Sequence, residues 1–340
     1  MTPDAHIPLF SIIIPVYRNE KQLAACLDSI RNQTLDDWEC ICIDDGSTDG
    51  SGAILDGCSA RDARFRIIHK QNEGVSVARN LGISLARAPH LMFVDADDRL
   101  LPETLRACHE TMRETSSDMI VFGAALVSRD TEWTGFMSPT IRPLPPGSTA
   151  SFHAGAPFVE NNNIPACWAK VYQKKILAEH KIKFPEHVHF AEDLHFTAQC
   201  FCHCSSVTVI NKPFYQYFTD GETGVTSNFF NRKRPLEDYM NALHAILNLS
   251  NCIDGRSPYS RNYFLRSRSL LVLFRLCYAN YKLFADRIKC LYPDQEKAIR
   301  KEAFSALKKY ATLANLPRIL YFSLKSNYGH ILRNWLADKR

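Results

Sequence analysis

Between Phe10 and Val127, short apolar runs alternate with segments of helical period, and this alternation restricts the fold more than any other feature of the chain. The apolar runs are Phe10–Pro15, Glu39–Ile43, Phe65–His69, Leu91–Val94 and Met119–Val127. Each is strand-sized and largely apolar, as a strand covered on both faces must be. Between them, Glu20–Gln33 puts Leu23, Cys26, Leu27 and Ile30 on one helical face. Asp49 or Ser51 can cap a helix running towards Arg61, Val75–Ala86 keeps helical spacing, and Pro102 fits the first turn of a further helix. Strands joined through single helices need right-handed crossovers, so an α/β fold is expected, with a mostly parallel sheet and flanking helices.

Acidic residues gather where two of these strands end. Asp95-Ala96-Asp97-Asp98 comes directly after Leu91–Val94, and Asp44-Asp45-Gly46-Ser47-Thr48-Asp49-Gly50 after Glu39–Ile43. Carboxylates are too costly to bury unpaired, so the three of the first run are expected to face a cleft and hold a divalent cation. A solvated loop capping the next helix is the plainer reading. Asp44 and Asp45 have the acceptors for a base or ribose, although a strand-to-helix turn explains them too. Tyr17 suits stacking on a nucleobase or a place in the core. Arg79 suits a phosphate or solvent, and Glu192-Asp193 either a general base or helix N-terminal charges that interact with the dipole. No Gly-x-Gly-x-x-Gly and no Gly-Lys-Ser/Thr loop occurs, which removes the main support for dinucleotide and P-loop readings. Cys200, Cys202 and Cys204 beside His203 lack the spacing of a zinc site and read better as buried thiols in a helix.

The rest of the chain is less regular. Residues 128–150, with Pro143-Leu144-Pro145-Pro146-Gly147, read as a long loop or an irregular excursion, and 218–229 as a polar loop. A helix is expected over Asp193–Cys204, and helices again at 235–250, 259–285, 294–314 and 317–336. Charge divides along the same line. Residues 230–340 carry 21 Lys/Arg against 8 Asp/Glu, whereas the remainder carries 20 against 28. The acidic part therefore suits a cation-dependent site and the basic part an anionic surface. Two domains are expected, 1–229 and 230–340. Arg318, Lys325, Arg333, Lys339 and Arg340, interspersed with Leu320, Tyr321, Phe322, Ile331 and Trp335, suit an interfacial helix on an anionic membrane or a helix packed on its own domain. No nucleic-acid module is recognisable. No signal peptide and no run of about 20 apolar residues is evident. Twelve cysteines without an export signal suggest a reducing, cytoplasmic setting, with attachment to the inner face of the cell membrane as an option.

In order along residues 8–217, Ser11-Ile12-Ile13-Ile14-Pro15-Val16-Tyr17, the Asp44–Gly50 turn, Asn72-Glu73-Gly74 with Ala78-Arg79-Asn80, Asp95–Asp98 and Glu192-Asp193 resemble the family 2 glycosyltransferases of GT-A fold. Trp168-Ala169-Lys170-Val171-Tyr172 with Phe184-Pro185-Glu186 after it is similar to the bacterial branch that builds surface polysaccharides. The resemblance implies a Rossmann-like catalytic domain, and the helical region after about 230 matches no motif of the family. It implies that Pro15 and Tyr17 line a uracil pocket, Asp45 bonds the base, Asp95 lies near the ribose, and Glu20, Arg79 and Ala96 belong to the same nucleotide site. Asp97 would ligate Mn²⁺ or Mg²⁺, and Asp193, with Glu192 beside it, would be the base of an inverting transfer. Trp168 and Lys170 would lie near the acceptor or diphosphate. The implied donor is a UDP-sugar and the implied acceptor a glycan or lipid-linked hydroxyl. A non-catalytic nucleotide-sugar or glycan-binding protein is the alternative, and a nucleotidyltransferase would need a Gly-rich loop that is absent. One departure stands out: Arg18 occupies the place after the motif Tyr where many members have Asn.

Overall fold

The structure is a computed structural model that describes residues 6–128, 134–139, 144–153, 166–188 and 192–219. The first half alternates as the sequence demands. It comprises β1 (Phe10–Val16), α1 (Leu23–Arg31), β2 (Trp38–Asp45), α2 (Ser51–Ser59), β3 (Phe65–Lys70), α3 (Val75–Leu85) and β4 (His90–Phe93). Next come β5 (Arg99–Leu100), α4 (Thr104–Thr115) and β6 (Met119–Ser128). β7 (Thr134–Met137), β8 (Thr149–His153), β9 (Lys170–Gln173), α5 (Lys174–Glu179), α6 (Glu192–His203) and β10 (Ser206–Thr219) complete the described elements.

The strands form one sheet in the order β3-β2-β1-β4-β9-β6-β10-β5, with β7 paired to β6 and β8 to β10. β1, β2, β3 and β4 are parallel neighbours, as are β6 and β10. Side-chain alternation then splits the apolar residues between two cores. Ile12, Ile14, Cys40, Cys42, Met92 and Val94 face α1, α2 and α4. Ile13, Ile41, Ile43, Leu91 and Phe93 face α3, α5 and α6. In α1 the expected face, Leu23, Cys26, Leu27 and Ile30, is buried, and each large apolar side chain there contributes about 2 kcal/mol. On the opposite face, a Cβ at Gly82 would collide with Ile13, so glycine lets α3 lie close against β1. Cys200 and Cys204 are buried in this second core.

Four features depart from the sequence reading. Antiparallel β9 inserts between β4 and β6, so the sheet is parallel from β3 through β4 and mixed beyond it. The segment 128–150 contains strands as well as a turn. Asn211 anchors that turn, donating from its side chain to Leu144 O and Pro145 O and accepting the Gly147 N–H on its backbone carbonyl. Pro102 does not open a helix. α4 starts at Thr104, whose hydroxyl bonds the carbonyls of Leu101 and Phe214, and Pro102 lies in the turn before it. β10 also runs to Thr219, two residues into the expected polar loop. The boundary near residue 230, the basic helices and the Trp335 segment lie outside the described residues. No helix among the described residues is long and apolar enough to cross a membrane.

Candidate active site

Because β1 to β4 are parallel, their C-terminal ends share one edge of the sheet. β2 and β4 lie on opposite sides of β1, which makes this edge a topological switch point, the usual ligand position in open α/β sheets. Pro15, Tyr17, Asp44, Asp45, Lys70, Asp95 and Asp97 all stand at or just past these strand ends.

The loop after β2 is fixed by its own acids. Asp44 Oδ1 accepts the Ser47 N–H at 2.9 Å, and its Oδ2 lies 2.8 Å from His69 Nδ1. Despite burial, the Ser47 hydroxyl and then His69 pull Asp44 below the ordinary carboxylate range. Asp45 is buried and accepts the Glu73 and Gly74 N–H groups, with Lys70 Nζ at 2.7 Å. It thereby sets the entry to α3. Gly46 has φ +76°, and a Cβ there would sit 2.8 Å from Asn72 N, so only glycine fits. Tyr17 is 44 % exposed, which settles its alternative: it is not a core residue. Glu20 is engaged in bracing, since its Oε2 accepts the Gly50 N–H while its own N–H donates to Asp49.

The run after β4 divides in two. Continuing the strand alternation, Ala96 and Asp98 point inward while Asp95 and Asp97 stay half-buried at the edge. The expectation of three carboxylates facing a cleft is corrected for Asp98, which is 1 % exposed. Its Oδ2 accepts the Tyr215 hydroxyl at 2.7 Å and its Oδ1 the Phe218 N–H at 2.9 Å. Burial, then the charges of Asp97 and Asp95, push it well above the ordinary carboxylate range. The Ala96 side chain lies in the apolar core, so only its backbone is offered to the nucleotide site.

Arg79 is the hub of the arrangement. Its side chain is 6 % exposed, with Nη2 2.9 Å from Asp95 Oδ1 and Nη1 3.0 Å from Glu192 Oε1. It therefore joins α3, the end of β4 and the first turn of α6, and it brings Asp193 to the same edge as the acids of β2 and β4. Its Nε and the Ser76 Oγ, one helical turn earlier, are buried without a hydrogen-bond partner. Such atoms mark a place where a ligand's polar groups would be satisfied.

Trp168 and Lys170 are both buried. Trp168 is buried and stacks on Tyr215 and Tyr217 at 4.7 and 5.3 Å between ring centroids. Lys170 is 0 % exposed and donates to Ala166 O and Trp168 O, and burial pulls it down to about 7. Both brace the acidic loop from behind, because the Tyr215 hydroxyl also accepts the Asp95 N–H. Sequence reasoning missed Tyr215, Ser76, Lys70 and His69. Only the last two carried a signal, as the basic residues that end a strand beside an acidic turn.

Among the described residues, no three His, Cys, Asp or Glu side chains group as a cation cage. Asp97 with Asp95 offers hard oxygens of the kind Mg²⁺ or Mn²⁺ takes when phosphate oxygens and water complete its shell.

Comparison with known proteins points one way. The profile described as Glycosyl transferase family 2 matches residues 11–177. EpsH of Bacillus subtilis (strain 168), named as a glycosyltransferase, is 29% identical over 294 residues, 78% of this chain and 83% of EpsH. The uncharacterized glycosyltransferase EpsJ of the same strain is 32% identical over 216 residues, 62% of this chain, and the match spans 61% of EpsJ's own length. The solved structure of residues 1–349 of S. aureus TarS gives a TM-score of 0.67 at 20% identity, covering 88% of this chain and 79% of that one. The same TarS segment in complex with UDP-GlcNAc gives 0.60 at 21% identity, covering 88% of each chain. At such identities the TarS likeness shows the fold alone.

Proposed function

The chain belongs to glycosyltransferase family 2, and from that membership we propose that it transfers a sugar from a UDP-linked donor to a hydroxyl of a surface glycan or its lipid-linked precursor, with inversion at the anomeric carbon. The observation that carries this reading is the Arg79 bridge between Asp95 and Glu192. It joins the strand-end acids suited to a donor with an acidic pair suited to an acceptor. The TarS complex with UDP-GlcNAc makes that donor the first to try.

In this mechanism Tyr17 offers its exposed ring to the base, and Asp45 holds the loop against which the base would rest. Asp193 accepts the proton of the acceptor hydroxyl as that oxygen attacks the anomeric carbon. Glu192, fixed by Arg79, orients the helix start that carries Asp193. Opposite-face attack turns an α-linked donor into a β-linked product. Asp97, with Asp95, would hold the divalent cation. When bound, that cation would neutralise negative charge on the departing nucleoside diphosphate.

The test is a panel of nucleotide sugars with Mn²⁺ or Mg²⁺, scored by release of nucleoside diphosphate and by thermal stabilisation. Release of UDP from one donor, lost on chelation and lost in Asp97→Asn, is expected. No release and no thermal shift with any UDP-sugar would refute the donor assignment.

A further inference from the structure

Arg18, the residue that replaces the family's Asn, is held in a left-handed backbone conformation, φ +53°. Asn adopts this conformation several-fold more readily than Arg does, so the substitution costs backbone energy that its side chain must offset or that function must require. The residue is well anchored there. Its N–H donates to Ser47 Oγ at 3.1 Å, and its Nε donates to Thr48 Oγ1 at 3.1 Å. The guanidinium carbon stands 5.2 Å from the centroid of the exposed Tyr17 ring.

The charge of Arg18 is left over. Two other Lys or Arg side chains hydrogen-bond to the acidic strand-end loops, and carboxylates hold both of them twice. Lys70 is paired with Asp45 and Glu73, and Arg79 with Asp95 and Glu192. Arg18 bonds the same loops through a hydroxyl and has no carboxylate within ion-pair distance among the described residues. A guanidinium held by a hydroxyl and an aromatic face keeps both outer nitrogens for an incoming anion. It also leaves no room for a planar base between itself and Tyr17, since stacked partners on both sides would need about twice the usual 3.5–4 Å contact. The base must then use the other face of the ring, which leaves the outer nitrogens of Arg18 as uncompensated positive charge at the rim of the site.

We propose that Arg18 reads the diphosphate of the donor, so that this chain selects a nucleoside diphosphate over a nucleoside through an Arg at the place where many family members have Asn. The inference rests on the donor reading above. When the donor enters, the guanidinium leaves the Thr48 hydroxyl for phosphate oxygens and backs the Tyr17 ring with its stem. A bidentate Arg–phosphate contact gives direction as well as charge.

The test is calorimetric titration of the full chain and of Arg18→Asn, Arg18→Ala and Arg18→Lys with UDP and with uridine, alongside thermal unfolding without ligand. Arg18→Asn relieves the backbone, so it should unfold at the same or a higher temperature. It and Arg18→Ala should weaken UDP by about tenfold, the size of one charge-assisted contact, while leaving uridine within about twofold. Arg18→Lys should recover part of the loss. Equal weakening of UDP and uridine would mean that Arg18 acts only by propping Tyr17, and unchanged UDP binding would mean that it touches no phosphate. Either result overturns the proposal while the donor reading survives. If the unsubstituted chain binds neither ligand, the donor reading itself fails and this inference falls with it.

Discussion

Arg79 Nη1 lies 3.0 Å from Glu192 Oε1, joining two residues 113 positions apart in the chain. The other terminal nitrogen meets Asp95, so one buried guanidinium neutralises a carboxylate from each side of the site. A buried cation between two acids is sound only while all three are present, because removing one leaves the others desolvated and unpaired.

Arg79→Met should therefore destabilise the chain by about 3 kcal/mol, the lower end of the 3–5 kcal/mol range for broken buried pairs, since Asp95 retains some water access. Urea unfolding measures this loss. Arg79→Lys should fall between the two, because a single ammonium cannot match both carboxylates with a planar fork. A Met variant as stable as the parent would show that the bridge holds nothing.

Asp193→Asn should lower transfer by about 10²–10⁴-fold, the usual worth of a general base, with UDP affinity unchanged. Glu192→Gln should lower it less, since Glu192 is engaged with Arg79 and acts by orienting the helix start. A pair of kcat and Kd measurements separates the two roles. Comparable losses in both variants would reverse or merge the assignments.

The parallel part of the sheet, β3 through β4, was legible because its signals are local. The apolar run of β1, the one-sided spacing of α1 and the acidic turns each lie within a dozen residues. β9 was not legible, because a four-residue strand carries little periodicity and its place between β4 and β6 rests on pairings across 81 and 53 positions, such as Leu91 with Tyr172 and Met119 with Tyr172. The split within Asp95–Asp98 was within reach. Extending the alternation of Met92 and Val94 through Ala96 assigns Asp98 to the inner face. The charge of the side chain argued the other way, and burial with Tyr215 as partner prevailed. The Arg79 bridge was hidden for a different reason: residue type shows that an Arg needs partners, but only the fold shows which ones.

Asp98→Asn should be tolerated, and its stability should reveal how the parent titrates. Burial and the neighbouring charges of Asp97 and Asp95 raise Asp98 in the folded chain. A carboxyl raised on folding favours the folded state fully below its unfolded value, and the benefit is lost as pH climbs through the raised value. The Asn variant carries no such proton. Its amide oxygen can accept the Phe218 N–H and its NH₂ can donate to the Tyr215 oxygen. Near neutral pH the variant should match or exceed the parent in thermal stability, and the advantage should shrink as pH is lowered into the carboxylate range. A variant that is strongly destabilised at every pH would contradict this.

His69 bridges Asp44 and Asp56, at 2.8 and 3.0 Å from its two ring nitrogens, and so ties β2 to α2 beside the loop that carries Asp45. The hydrogen bonds to Asp44 and then Asp56 raise it above the ordinary His value of 6.5. Its stabilisation is complete below that ordinary value and fades as pH rises through the raised one. Asp44 is lowered, so its share is present above the ordinary carboxylate value and is lost in acid. The bridge should therefore stabilise the chain between these limits, with thermal stability falling on the alkaline side as the imidazolium loses its proton. The His side chain is 47 % exposed, and solvent screening keeps the whole effect under about 1 kcal/mol. His69→Gln keeps hydrogen bonding but not charge, so parent and variant should converge at high pH and diverge towards pH 6.5. A constant difference between them across that range would show that the imidazole is neutral in the bridge.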